Sequence, residues 1–273
     1  MAIMENLKFT IVTPSYNQGR FILRTIDSVL FKQNYKNVEY FVVDGESTDE
    51  TLDILKEYKN KYSERMNYIY EKDTGQSNAI NKGFKKATGD IIGWINSDDY
   101  YEDNIFSFVA QYFNENPDVD MLYGGCNLVD SKGGFIGAFE EGYGFKFYKI
   151  NDYNNFSYDR LLNVYSGLIP QQSVFFRKEV FDKVGYLDES YNFTMDYEFW
   201  LRIGRECKIK RVEKVLANFR FHEEAKTNPV NRLRFFKESL KARKKYNGKK
   251  IAPFYALFFI VSMKTIVRIL LRK

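Results

Sequence analysis

The chain has 273 residues, 44% of them hydrophobic and 18% aromatic, which excludes global disorder and is enough to bury a full core. Its two cysteines, Cys126 and Cys207, have neither the number nor the CxxC spacing of a disulfide framework or a zinc site. The net charge of +5 hides an asymmetry: residues 232–273 hold thirteen bases and one acid (Glu238), so this tail carries +12 and residues 1–231 carry −7. An acidic body with a basic tail implies an anionic partner for the tail, membrane or nucleic acid. No secretory leader is seen at the N-terminus, so a reducing cytoplasm is the expected setting.

The elements follow an alternating order. Phe9 to Thr13 reads as a strand that runs into a turn-rich loop, Pro14-Ser15-Tyr16-Asn17-Gln18-Gly19. Ile22, Ile26, Val29 and Leu30 then recur at helical spacing. Val38 to Asp44 is a second strand, and Gly45-Glu46-Ser47-Thr48-Asp49 turns into a second helix with Ser47 or Thr48 as its cap. Met66 to Tyr70 is a third strand, followed by Asp73-Thr74-Gly75-Gln76-Ser77 and a helix over Asn78 to Ala87. Ile91, Ile92, Trp94 and Ile95 form a short apolar strand that ends in Ser97-Asp98-Asp99.

Strand–helix alternation with short loops implies a parallel sheet covered by helices on both faces. Right-handed crossovers put all such strand ends on one edge. Asp44, Asp73, Asp98 and Asp99 therefore gather where open α/β sheets bind ligands. One acid after a strand is commonly a helix cap. Three such strands in succession, the last with a doublet, point beyond capping. Two adjacent carboxylates repel each other and need a cation or hydrogen-bond donors, which suggests a divalent metal and a phosphate-bearing ligand. Neither GxxxxGK[ST] nor a GxGxxG after the first strand is present, which disfavours Walker-type ATPases and Rossmann dehydrogenases.

Beyond Asp99 the pattern predicts a helix over Asp103 to Asn114 and a strand over Val119 to Tyr123. A hairpin of Cys126 to Asp130 with Phe135 to Phe139 follows. Residues 140–164 have no clear period and read as a long functional loop or lid. Ile169-Pro170-Gln171-Gln172 leads into another strand, and Lys178 to Val184 is a short helix. Thr194 is a plausible cap for a helix that would carry Asp196 and Glu198 in its first turn. Val212 to Phe221 gives one or two strands, with His222 after them.

Four segments together resemble a family 2 glycosyltransferase of the GT-A fold. They are Thr13-Pro14-Ser15-Tyr16-Asn17; Val42-Val43-Asp44-Gly45-Glu46-Ser47-Thr48-Asp49; Asp73-Thr74-Gly75-Gln76-Ser77 running on to Ser97-Asp98-Asp99; and Met195-Asp196-Tyr197-Glu198-Phe199-Trp200. The resemblance implies a GT-A type, mostly parallel sheet flanked by helices, over residues 1–228. Residues 1–125 would be the nucleotide-binding half and residues 126–228 the acceptor half. It implies an inverting transferase that moves a sugar from a nucleotide-diphosphate sugar, expected to be a UDP-sugar, to an acceptor hydroxyl. Thr13, Pro14, Ser15, Asp44, Asp73, Gly75 and Asp98 would hold the donor. Asp98, Asp99 and His222 would hold Mn²⁺ or Mg²⁺, and Asp196 would be the catalytic base. Met195 departs from the family's Glu-Asp pair at the position before the base. Glu198, Gln171 and Gln172 are candidate acceptor or sugar contacts, with structural roles open for each.

The tail, residues 229–273, reads as a basic helix opened by Asn228-Pro229 and broken at Asn247-Gly248. An apolar run over Ala252 to Met263 follows, with Lys264, Arg268 and Arg272 recurring every fourth residue. The run is shorter than the roughly 20 residues that span a bilayer. An in-plane helix on an anionic membrane at the inner, cytoplasmic face fits better, with packing on the catalytic domain as the alternative. A glycan or lipid-linked acceptor would suit that location, whereas nucleic acid is disfavoured because the bases sit beside a greasy segment. A sugar nucleotidyltransferase would need a glycine-rich basic loop after the first strand. A glycoside hydrolase would need no nucleotide pocket, and a non-catalytic sugar- or membrane-binding module would not need the acids.

Overall fold

The computed structural model describes residues 6–138, 156–163, 169–227 and 229–247. Its first half is the expected alternation: β1 (Phe9–Ser15), α1 (Gly19–Leu30), β2 (Val38–Asp44), α2 (Thr51–Lys61), β3 (Met66–Tyr70), α3 (Gln76–Lys86) and β4 (Ile91–Trp94). β3, β2, β1 and β4 lie side by side in that order, all parallel. The chain steps outward from β1 to β3 and then returns to β1's other side as β4. This reversal opens a crevice between the ends of β1 and β4, the usual ligand position in open α/β sheets.

The second half is mixed. β5 (Tyr100–Tyr101), α4 (Ile105–Glu115), β6 (Met121–Val129), β7 (Phe135–Ala138), α5 (Tyr158–Asn163), β8 (Val174–Arg177), α6 (Val180–Val184), α7 (Met195–Glu206), β9 (Ile209–Arg220) and α8 (Arg232–Lys245) follow in order. The sheet runs β3-β2-β1-β4-β8-β6-β9-β5, with β7 on β6. β8 is antiparallel to both β4 and β6, whereas β6 and β9 are parallel. Parallel pairing therefore dominates the first half and not the second.

Two predicted strands, over 119–123 and 126–130, are one strand, β6. The intervening Gly124-Gly125 produces register shifts against β9 instead of a break. A side chain on Gly124 would collide with the Lys214 carbonyl, so glycine lets the strands approach there. The 140–164 loop lies outside the described residues except for residues 156–163, and so does the apolar run over 252–263.

Two cores cover the two sheet faces. On one, Phe9 and Ile11 meet Ile22, Ile26 and Val29 of α1, Leu55 of α2, and Phe106, Val109 and Phe113 of α4. On the other, Val12 and Ile92 meet Ile80 and Phe84 of α3 and Phe199, Trp200 and Ile203 of α7. The alternation of Ile11 and Val12 between the faces is the period of two expected of a strand covered on both sides. Trp200 is fully buried and stacks on Trp94 at 5.6 Å, which makes it core. The first half of the tail, α8, also packs inward: Ser239, Ala242 and Arg243 are buried, and Ala242 joins the second core. No helix among the described residues is long and apolar enough to cross a membrane.

Candidate active site

The turn after β4 carries the carboxylate doublet and is held from three sides. The Thr25 hydroxyl on α1 lies 2.9 Å from the Ser97 carbonyl oxygen and 2.6 Å from that of Asp99. The Arg220 guanidinium at the end of β9 donates to the Asp98 carbonyl at 2.7 Å. β5, immediately after the doublet, pairs with β9.

The two acids differ in environment. Asp99 is fully buried; its Oδ1 accepts the Arg220 backbone N–H at 2.9 Å and its Oδ2 accepts Gln172 Nε2 at 3.0 Å. Burial, and then the Asp98 charge, push its carboxyl well above the usual carboxylate range. Asp98 is less buried, and its Oδ2 lies 3.0 Å from Nε2 of His222. His222 is itself buried and packs on the Phe21 ring, with centroids 4.7 Å apart. The Asp99 oxygens thus hold the β9 backbone and Gln172, while Asp98 Oδ2 and His222 Nε2 face each other.

A carboxylate and an imidazole nitrogen can ligate Mn²⁺ or Mg²⁺, though carboxylate oxygen is the harder donor. Among the described residues no group of three His, Cys, Asp or Glu side chains comes together as a metal cluster. A two-donor site still fits such ions, which take one or two protein ligands and complete their shell with substrate phosphate and water.

The donor-side residues divide in a similar way. Asp44 is fully buried, with Oδ1 on the Ser47 N–H and Oδ2 on the Ser47 hydroxyl, both at 2.7 Å. It shapes the 44–49 loop from the end of β2. Thr13 lies beneath the sheet edge, its hydroxyl accepting from Tyr40 at 2.9 Å. Pro14 and Ser15 end β1 in register with Val43 and Asp44, and the buried Ser15 Oγ has no hydrogen-bond partner. Asp73 is only partly buried and accepts the Gly75 N–H at 2.8 Å. Its Oδ2 lies over Gly45, where a Cβ would stand 2.6 Å away, next to the Tyr16 ring. Tyr16 is 59% exposed, so this corner offers an aromatic face, a carboxylate and bare backbone together. Gly75 has φ +132°, a conformation that favours glycine.

Gln171 donates to the Trp94 carbonyl at 2.8 Å and closes the end of β4. Gln172 spends its amide nitrogen on Asp99, and its buried Oε1 has no hydrogen-bond partner. Buried polar atoms are rarely left so, and this one is available to a ligand hydroxyl. Glu198 is not in the cleft. It is fully buried between Arg202 (2.9 Å), Lys245 (3.0 Å) and the Tyr246 hydroxyl (2.7 Å), and it joins α7 to α8. The acceptor expectation for Glu198 is thereby corrected to a structural one. A spacing of two residues on a helix puts it on nearly the opposite face from Asp196.

Asp196 sits in the first turn of α7, partly buried, with Oδ1 accepting the Tyr197 N–H at 2.8 Å. Desolvation pushes its carboxyl up to about 6, against the pull of Lys226. Lys226, which sequence reasoning missed, stands in the field of Glu238, Asp196, Asp73 and Asp98. Its ammonium donates to Gln76 Oε1 at 2.7 Å and to the Asn192 carbonyl at 3.1 Å. Gln76 in turn donates to Asn96 at 2.7 Å, next to the doublet. A lysine among 41 basic residues carries no sequence signal; only the path of the chain after His222 brings it here.

Known proteins share this chain's sequence pattern and fold. The family model described as glycosyl transferase family 2 matches residues 10–185, which includes the doublet and stops short of Asp196. An uncharacterized glycosyltransferase of Rickettsia prowazekii is 30% identical over 225 residues, 80% of this chain and 65% of that protein. One from Rickettsia felis is 29% identical over 81% of this chain and 35% of its own length. A PGL/p-HBAD biosynthesis glycosyltransferase of Mycobacterium bovis is 29% identical over 71% of this chain and 68% of that protein. The chain thus spans between about a third and two-thirds of the rickettsial relatives. Among solved structures, Staphylococcus aureus TarS 1–349 with UDP-GlcNAc superposes with TM-score 0.65 at 20% identity, covering 87% of this chain and 65% of that one. The mannosyltransferase PcManGT of Pyrobaculum calidifontis, with GDP-Man and Mn²⁺, gives 0.64 at 17% identity, covering 93% and 68%. With the family model matched over most of its sheet, the chain belongs to glycosyltransferase family 2.

Proposed function

We propose that the chain transfers a sugar from a nucleotide-diphosphate sugar to an acceptor hydroxyl in one inverting displacement. The observation that carries this is that Lys226 stands in the field of both Asp98, which meets His222, and the desolvated Asp196. Solved relatives of the same fold carry UDP-GlcNAc and GDP-Man, and a UDP-sugar is the donor we expect here.

In this reading Asp73, Gly75 and the exposed Tyr16 receive the nucleoside, with Pro14 and Ser15 at the floor. Asp98 and His222 would hold a divalent cation, which supplies charge neutralisation to the departing diphosphate. Lys226 supplies a second positive charge for the same group from the chain itself. Gln172 Oε1 accepts from a sugar hydroxyl and so orients the ring. Asp196 takes the proton of the attacking hydroxyl. A carboxyl held near 6 is a stronger base than an ordinary aspartate yet still ionised at neutral pH, which suits that step. No covalent intermediate is needed, because one displacement already moves the sugar and inverts its anomeric centre.

The acceptor class we propose is a cell-surface polysaccharide or a lipid-linked glycan. The basic tail over 229–273 would then keep the enzyme at an anionic membrane surface on the cytoplasmic side. The test is a screen of nucleotide-sugar hydrolysis and transfer with Mg²⁺, with Mn²⁺ and with chelator. Turnover of one nucleotide sugar that depends on added metal supports the reading. Turnover of none, with intact fold, would sink it.

A further inference from the structure

The segment that leads into α7, which carries Asp196, is held by a residue from another helix. Thr194 occupies the N-cap position but makes no side-chain cap hydrogen bond to the helix. Glu238 of α8 takes up the backbone N–H groups of the turn just before the helix, which the turn itself leaves without acceptors. Its carboxylate accepts from the N–H groups of Asn192 at 3.1 Å, Phe193 at 2.8 Å and Thr194 at 3.0 Å. These are charge-assisted bonds, and an anion there also opposes the positive end of the helix dipole.

The same short segment reaches the cleft from its other side. The Asn192 carbonyl accepts the Lys226 ammonium, and the Asn192 side chain faces Gly75. Glu238 therefore grips a loop that sets the position of both Asp196 and Lys226. Met195, the residue before Asp196, is buried in the core and offers no carboxylate. In sequence, Glu238 is the one acid among the thirteen bases of 232–273.

We propose that Glu238 is a positioning residue for transfer, holding the Asn192–Thr194 backbone so that Asp196 meets the acceptor hydroxyl and Lys226 meets the diphosphate. The proposal rests on Asp196 as the base, and its test is built to separate the two. α8 stays docked without Glu238 through Lys245 and Tyr246 on Glu198 and through Arg243 on the Tyr197 hydroxyl. Glu238→Gln is therefore expected to fold.

The experiment compares wild type, Glu238→Gln and Glu238→Asp in kcat, donor KM and melting temperature. It also follows the Asp196 carboxyl by ¹³C NMR titration, assigned with Asp196→Asn. The charged groups facing Asp196 are Lys226 from the segment after β9 and Glu238 from α8, with Asp73 and Asp98 acting through Lys226. Losing the Glu238 charge should lower the Asp196 midpoint. Displacing the base should lower kcat about tenfold to a hundredfold, with Glu238→Asp recovering part of it. A kcat within twofold of wild type, or an unmoved Asp196 midpoint, overturns the proposal even if the melting temperature falls. If wild type turns over no nucleotide sugar, the transferase reading fails on its own, and the titration alone decides whether Glu238 acts on Asp196.

Discussion

Asp98 Oδ2 lies 3.0 Å from His222 Nε2, although 124 residues separate the two in sequence. One sits in the turn after β4 and the other just after β9. They meet because β5 and the Arg220 backbone tie those two strand ends together. If this pair holds the cation, His222→Ala leaves a single carboxylate. The Mn²⁺ concentration for half-maximal activity should then rise about tenfold or more. UDP affinity measured by calorimetry should lose its dependence on Mn²⁺ in the Asp98→Asn variant. An unchanged metal requirement in both variants would remove the pair from the metal site.

Asp196 gives a pH prediction with a definite sign. Its folded-state pKa is raised from 3.8 to about 6 by desolvation. A base must be ionised, so kcat/KM should rise with pH through about 6 and level off above it. The same shift costs stability, because the folded state favours the protonated form. That cost is absent below the unfolded value near 3.8 and fully present above 6. Asp196→Asn should therefore lower turnover by about 10²–10⁴-fold while leaving nucleotide affinity near wild type. It should also raise the melting temperature at pH 7.5 and leave it nearly unchanged at pH 3.5, within the range where the protein stays folded. A variant that loses nucleotide binding would contradict the assignment of the base.

The parallel half of the sheet was legible because its signals are local. The runs over Val38–Asp44 and Met66–Tyr70 begin and end where apolar periodicity and turn residues put them. The mixed half was less legible, since strand direction there depends on which distant strand is adjacent. Gly124-Gly125 looked like a break and is a bulge for the same reason: only the neighbouring β9 shows that the pairing resumes. At the site, sequence identified acids but not which oxygens remain free. Asp44 and Asp99 look like Asp73 and Asp98 in the chain, and only the donors around them, Ser47, Gln172 and the Arg220 N–H, distinguish the two classes. Lys226 and Glu238 act through contacts 34 to 150 residues distant, beyond any local pattern.

Glu198 separates a buried clasp from an acceptor contact. Its side chain is fully buried and bound by Arg202, Lys245 and Tyr246. Removing Glu198 empties a buried site and takes the counter-charge from the half-buried Arg202 and from Lys245. Glu198→Ala should cost about 3 kcal/mol, read from urea unfolding. Below its new melting temperature the variant should keep its acceptor KM. A raised acceptor KM at unchanged stability would restore the acceptor role.

Gly45 tests the nucleoside corner without touching a polar group. A methyl there would stand 2.6 Å from Asp73 Oδ2, closer than real contacts allow, so the short Asp73 side chain must move. Gly45→Ala should therefore raise the donor KM several-fold with little change in kcat, the signature of lost uniform binding. The melting temperature should change little, because the displaced carboxylate is only partly buried. If Asp73→Ala and Gly45→Ala each weaken UDP binding but the double variant is no worse than Asp73→Ala alone, the methyl acts through Asp73.

The tail divides into two parts with different expected roles, and two truncations distinguish them. α8 buries Ser239, Ala242 and Arg243 against the domain and supplies Glu238 to the helix that bears Asp196. Its outward side shows Val230 and Leu233 just before and at its start, followed by Arg234, Lys237, Lys241 and Lys244. Ending the chain after Asn247 keeps α8 and removes the apolar run with its flanking bases. That form should stay folded, retain turnover of a soluble acceptor and lose most of its binding to phosphatidylglycerol vesicles. Ending it after Thr227 also removes Lys245 and Tyr246 from Glu198 and Glu238 from the segment before α7. That form should unfold several degrees or more earlier and lose turnover even without membranes. If the longer truncation binds vesicles as well as the full chain, the apolar run is not the membrane contact, and the basic outer face of α8 becomes the surface to alter next.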